Sequence, residues 1–304
     1  MMTNHRSTSL LLAMLTLALL APRLAAQIAL QFEADKPRFL CFEPVLVHLT
    51  VSNLSGNTLI FNGDTPATRG SIAFKIDCSS GRHCKAIANL GNPADGLQLG
   101  PGESKRLDIT LNQFYNLQRE DVYNVTAVLN HGRLPRTHVS QPIQIAVQDG
   151  LPILTKNIGL PAANDDTGVI KSIQLNLLRF ADIDEDIYAL RAEDTENVYS
   201  TFRLGSFIDG EKPQVEIDGN SLVHILLQVR PRLFVYFVFG FRGRNMQLMQ
   251  KRFYTSSDGA PPTLSKATGY FRIEHGRLAR EGIDYLEKRE DTQTDENRRP
   301  IPQE

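Results

Sequence analysis

Tryptophan is absent, cysteine occurs three times in 304 residues, and neither sign of charge dominates, with 33 Lys and Arg against 34 Asp and Glu. The even charge removes the electrostatic reason to expect nucleic acid as a partner, since binding phosphates takes a concentrated excess of Lys and Arg. Beyond residue 27 the longest apolar run, Leu233 to Phe241, has nine residues. A membrane-spanning helix needs roughly 20, so no transmembrane segment is expected in the mature chain. No Gly-rich phosphate loop is present, because Gly205, Gly210 and Gly219 lie too far apart. Neither is there a Gly-x-Ser-x-Gly element, and no cofactor is expected. What remains is ordinary globular composition with enough chain for about two domains.

Residues 1–26 run from a polar, basic start (Asn4, His5, Arg6) through an apolar stretch, Leu10 to Ala21, to the small-residue exit Ala25-Ala26. This is the layout of a secretory signal peptide, and it predicts a secreted, periplasmic or extracellular product. Cleavage after Ala26 would remove Arg6 and Arg23 and no acid, leaving 31 basic against 34 acidic residues and a formal charge of −3. In an oxidising compartment Cys78 and Cys84, separated by Ser-Ser-Gly-Arg-His, are expected to form a disulfide across a reversing loop. Closing so short a loop removes about 2–3 kcal/mol of denatured-state entropy. Cys41, between Leu40 and Phe42, reads as a buried small hydrophobe, with an intermolecular bridge or reactive thiol as the alternative. Cys78, His83 and Cys84 lack the second ligand pair that a zinc site requires.

The fold class reads as all-β. Over residues 27–147, Val45, Val47, Leu49 and Val51 alternate with Leu46, His48, Thr50 and Ser52, and Leu107, Ile109 and Leu111 with Arg106, Asp108 and Thr110. Such runs are half-buried strands, and Asn53-Leu-Ser-Gly56, Asn62-Gly63, Gly91-Asn-Pro93 and Gly100-Pro-Gly102 separate them as turns. About seven strands in some 120 residues predict a β-sandwich. Tyr123, opening a strand after Glu120-Asp121, stands where a tyrosine corner would. The order Lys36-Pro37, Glu43-Pro-Val45, Val47 to Val51, Asn53, Leu99-Gly-Pro-Gly-Glu103, Asp121-Val-Tyr123 and Ile143 to Val147 resembles bacterial secreted immunoglobulin-like domains. That group includes modules similar to the small proteinase inhibitors of bacilli. The resemblance implies a fold, and function only by analogy.

Residues 148–168 combine Gly, Pro, Asn and Asp and read as a linker. Residues 169–286 read as a second antiparallel β-rich domain, a meander or blade-like unit, with strands at Val169–Leu178, Ile187–Arg191, Val198–Leu204, Gln214–Ile217, Leu222–Val229, Leu233–Phe241 and Met246–Tyr254. The stretch from Pro213 echoes that from Pro262 and resembles the way β-propeller blades begin. A propeller needs at least four blades, which this segment cannot hold alone. Residues 287–304, rich in alternating charge, read as a disordered tail.

Chemistry is sparse. Asp182, Asp184, Asp186 and Glu193 partly imitate a calcium loop, yet Ile187 takes the place of its turn glycine, so the acids read as a solvated loop between strands with no metal, calcium being the alternative. The six histidines after residue 27 are scattered, and His224 reads as a satisfied strand residue. No pair among Glu33, Glu43, Glu103, Glu216 and Glu274 stands out for glycoside hydrolysis. Arg230, Arg232, Lys251 and Arg252 form a candidate interaction edge if the strand after Phe241 returns antiparallel, the alternative being charges that keep an edge strand unpaired. The expectation is a non-catalytic module of the cell envelope, acting through a protein partner or structurally. A secreted proteinase inhibitor, a glycan-binding protein or a carbohydrate-active hydrolase stays open beside it.

Overall fold

The computed structural model describes residues 27–286 apart from 64, 67, 83, 88–90, 162–169, 244 and 268–269. The expected signal peptide and charged tail lie outside the described residues. The fold is almost wholly antiparallel β, and its one described helical element is a 3-10 turn at Leu111–Gln113. The chain divides into two compact units, one running to Phe39 and again over Pro44–Gln148, the other taking Leu40–Glu43 and the chain from Asp149.

The first unit contains β1 (Ile28–Ala34), β2 (Arg38–Leu40, whose last residue counts with the second unit), β3 (Leu46–Asn53), β4 (Leu59–Ile60), β5 (Gly70–Cys78), β6 (Gln98–Leu99), β7 (Ser104–Thr110), β8 (Asp121–His131), β9 (His138–Val139) and β10 (Ile143–Gln148). One sheet runs β1-β3-β7 and another β2-β10-β8-β5, with β9 added to β8 and a short β4-β6 pair apart. Period-2 patterning produces the core: Val47, Leu49 and Val51 of β3 and Val125, Ala127 and Leu129 of β8 are all buried. Phe32 of β1 meets Phe74 of β5 at 5.5 Å between ring centroids, so the inner faces of the two sheets share this core. The Tyr123 hydroxyl donates to the Arg119 carbonyl at 2.7 Å, the upstream bond that a tyrosine corner makes. Loop side chains cover the open edge of β5. Asn92 accepts from the Ile72 N–H and donates to the Gly70 carbonyl, and the Tyr115 hydroxyl accepts from the Phe74 N–H. An edge satisfied this way offers little to a stray strand.

Asn53, within a glycan-acceptor triplet, is fully buried. Its amide donates to the carbonyls of Asn57, Leu99 and Gly100, so it is a structural tie.

The second unit contains β11 (Leu151–Pro161), β12 (Ile170–Ala181), β13 (Asp186–Glu193) and β14 (Val198–Ser206), which form one four-stranded meander. After it come β15 (Gln214–Ile217), β16 (Val223–Arg230), β17 (Leu233–Arg242), β18 (Asn245–Ser256), the hairpin β19 (Thr263–Ala267) with β20 (Tyr270–Glu274), and β21 (Gly276–Leu278). The second sheet runs β15-β16-β17-β18-β21. The strand β11 corrects the linker reading of residues 148–168: Leu151–Pro161 pairs with β12 along its length, and Ile158 and Leu160 enter the core. Its Pro152, Gly159 and Pro161 resemble loop composition, but prolines are tolerated on an edge strand, where one row of N–H groups needs no partner.

The main core is the shared interior of the two sheets, carrying Leu175, Leu177 and Leu190 from one and Ile225, Val235, Phe237 and Phe239 from the other. Each sheet has a second apolar face. Leu178, Phe180, Ile187 and Ala189 cluster with Leu40. Leu226, Phe234, Tyr236 and Val238 are covered by Leu264 and Ile273 of the β19-β20 hairpin. Burial on both faces explains why β17 reads as a continuous apolar run rather than an alternating one.

Candidate functional site: an open cavity beside the β15-β16 turn

The turn joining β15 to β16 is built by one carboxylate. Asp218 Oδ1 accepts from the N–H groups of Asn220 and Leu222 at 2.8 and 2.9 Å, and the Asp218 N–H donates to the Leu222 carbonyl. The tight path places Ser221 at φ 61, a left-handed conformation that costs a residue with a Cβ. Asp218 Oδ2 lies 3.2 Å from His224 Nε2, and His224 Nδ1 lies 2.7 Å from the Tyr236 hydroxyl. Burial opposes the charge on Asp218, but the Leu222 N–H, His224 and the Asn220 N–H outweigh it and hold its carboxyl below the usual range. Burial, then Tyr254, pushes the Tyr236 hydroxyl up to about 12. His224 is thus a satisfied strand residue, and the relay it completes is covered by Phe271 at 4.9 Å between ring centroids. It fixes the turn.

Beside this turn opens a cavity of about 700 Å³. Leu160, Leu222, Phe241 and Met249 supply apolar surface, and Asn220, Ser221, Gln247 and Arg242 supply polar groups. Two irregularities shape its floor. Gly240 interrupts β17, and a Cβ there would meet Leu222 Cδ2 at 3.2 Å and Met249 Cγ at 3.3 Å. The β17-β18 register shifts between Val238 and Phe239, which leaves Met249 unpaired between Leu248 and Gln250. Strand glycines and bulges recur where something approaches a sheet closely. Leu248 and Met249 are correspondingly exposed, 45% and 66%. No acid lines the cavity among the described residues.

The sequence-predicted residues fall elsewhere. The calcium reading is corrected, since no group of three or more His, Cys, Asp or Glu among the described residues is placed to hold a metal. Asp182 pairs with Arg203, Asp186 with Arg179 and Glu193 with Asn176, while Asp184 is exposed. Arginines and an amide satisfy the carboxylates that a cation would have gathered. The basic edge is also corrected. Lys251 pairs with Phe237 and Arg252 with Tyr236, so their side chains leave opposite faces of the sheet. Arg232 lies two residues beyond the Phe234–Tyr254 pair and Arg252 two residues inside it, about 13 Å apart along the strand. Arg230 sits across from Leu233 at the hairpin, so the four cations form no single edge.

Cys78 and Cys84 are free thiols that line one cavity with Arg82, Lys85, Arg119 and Asp121. The Cys84 thiol donates to the Asn116 carbonyl at 2.9 Å, and burial, then Cys78, pushes it up to about 11. Cys41 is buried, as its apolar neighbours suggested.

Sequence reading missed a clamp on the Leu40–Glu43 segment of the second unit. Arg203 Nε and Nη2 donate to the two carboxylate oxygens of Glu43 at 2.8 and 3.1 Å. Arg191 bonds Asp149 and the Cys41 carbonyl and lies over the Phe42 ring, whose backbone is at φ 69. Nothing local signals partners separated by 160 residues. The cavity's signal was present in Gly240, the one glycine in the most apolar strand.

Comparison with protein-family models, with curated proteins and with solved structures finds no match for the chain.

Proposed function

We propose that the protein is a non-catalytic binding module of the cell envelope or extracellular space, and that the cavity beside the β15-β16 turn receives an apolar side chain of a protein partner. The observation that carries this is the composition of its lining. It has an apolar floor kept open by Gly240 and a polar rim of amides and one guanidinium, and no described residue there pairs a nucleophile with a base. Such a surface binds without transforming what it binds. Arg242 on the rim favours an acidic residue next to the partner's apolar group. The same reading takes the first unit as immunoglobulin-like, supported by its strand order and the Tyr123 bond, and takes residues 1–26 as the export signal.

A photo-crosslinking residue at Met249 tests it, with one at exposed Tyr270 of the β19-β20 hairpin as control. A single protein cross-linked in the native envelope fraction from Met249 but not from Tyr270, and lost in Gly240→Leu, supports the reading. Gly240→Leu is compared only if it melts with the parent. Equal cross-linking from both positions, or an undiminished yield in Gly240→Leu, overturns it.

A further inference from the structure

The first unit carries a second cavity, of about 530 Å³, where β5 begins and β8 ends. Its wall is fixed by the backbone. The Gly132 N–H donates to the Arg69 carbonyl, the Leu134 N–H to the His131 carbonyl and the Arg133 N–H to His131 Nδ1. His131 is itself buried, and its Nε2 lies 3.0 Å from the Ile60 carbonyl. On this frame Arg69 and Arg136 border the opening, both exposed, and no described residue forms an ion pair with either. No Asp or Glu lines the cavity among the described residues. Ser71 and Asn130, paired across β5 and β8, add a hydroxyl and an amide, and the Thr137 hydroxyl donates to Asn130 Oδ1, which leaves the Asn130 amide N–H groups as donors. Pro66, Leu134 and Pro135 give the remaining wall flat apolar faces.

Two guanidinium groups with no ion-pair partner among the described residues, and neutral donors between them, match an oxyanion attached to something that accepts further hydrogen bonds. The prolines match the C–H face of a ring, and the volume suits one or two sugar rings. We propose that this cavity binds an acidic sugar unit, a uronate or a sulfated residue of a glycan, with Arg69 and Arg136 on its oxyanion and Ser71 and Asn130 on ring hydroxyls. The proposal concerns the first unit and stands independently of the protein-binding cavity of the second.

Calorimetric titration of the full chain with a uronate oligomer, a sulfated oligosaccharide, a neutral glucan and inorganic phosphate tests it. Binding of either acidic oligomer, absent with the glucan and with phosphate, is expected. The affinity should fall with rising salt and drop about 10-fold or more in Arg136→Gln and in Arg69→Gln. Arg133→Gln is the control, because its guanidinium goes to the Thr58 carbonyl outside the cavity; its affinity should be unchanged. Binding of glucan as tightly as of the acidic oligomers, binding of phosphate alone, no binding, or unaltered affinity in both arginine variants overturns the proposal. The exposed side chains make Arg69→Gln and Arg136→Gln neutral for folding, and an unchanged melting curve establishes that in each sample.

Discussion

Arg203→Met puts the clamp on Leu40–Glu43 to a quantitative test. Methionine keeps the stem that carries the guanidinium over the Phe180 ring but removes the charge from a two-pronged bond to Glu43 and from Asp182. The Glu43 side chain is 5% exposed and that of Arg203 23%, so the loss takes a two-pronged charged bond from a carboxylate that water barely reaches. Breaking a buried pair from one side costs about 3–5 kcal/mol, and partial exposure of the arginine argues for the lower end, about 3. For a unit of this size that is a fall in melting temperature of about 6–12 °C. With no tryptophan in the chain, far-UV circular dichroism during urea unfolding is the direct assay. Glu43→Leu combined with Arg203→Met removes both charges and should recover most of the loss, since an apolar pair of similar volume is commonly neutral or better. A single variant within about 0.5 kcal/mol of the parent, which is what an ordinary surface site gives, refutes the argument. So does a double variant no more stable than the single one.

Three further outcomes are expected. His138 is buried with Nε2 unbonded, and burial, then Arg136, holds its pKa below the ordinary value. The unfolded chain therefore binds that proton more readily, so stability is full above about 6.5 and is lost as pH falls through the folded value; His138→Phe should flatten the slope of urea midpoints between pH 7 and 5. Asp121 accepts from Ser79 Oγ, Ser80 Oγ and the Val122 N–H, and these bonds bring it down to about 2; its contribution is present at neutral pH and lost below pH 4, and Asp121→Asn should lower stability at pH 7 by about 1–3 kcal/mol, read by thermal unfolding, with no further loss on acidification from this site. Exposure of the chain to a low-molecular-weight disulfide should join Cys78 to Cys84, making a peptide two hydrogens lighter by mass spectrometry and breaking the thiol bond to Asn116; the raised Cys84 pKa makes this faster at pH 9 than at pH 7. Two free thiols persisting at pH 9 would show that the native loop holds them apart.

The strands were legible because burial writes itself into spacing. The expected Gln214–Ile217 is β15 as observed, and Leu233–Phe241 falls one residue short of β17. Leu151–Pro161 was illegible for the opposite reason: on an edge strand the outward positions carry no burial pattern and the prolines cost nothing, so turn composition and strand composition coincide. The acids at 182 to 193 show a second limit. Their spacing fits a cation loop, but which positive charge satisfies them is decided by Arg203 and Arg179, and in a sheet partners are set by register between strands. The basic edge failed on register too, since neighbours along a strand leave opposite faces. Both proposed cavities follow the same logic. Arg69 and Arg136 stand 67 positions apart and are unremarkable in the sequence; they become a pair only because Gly70 aligns with His131 across β5 and β8. Site chemistry in an all-β chain is therefore written across strands, and the marks left along the chain are the places where a strand breaks its own rule, such as Gly240 in an otherwise apolar β17.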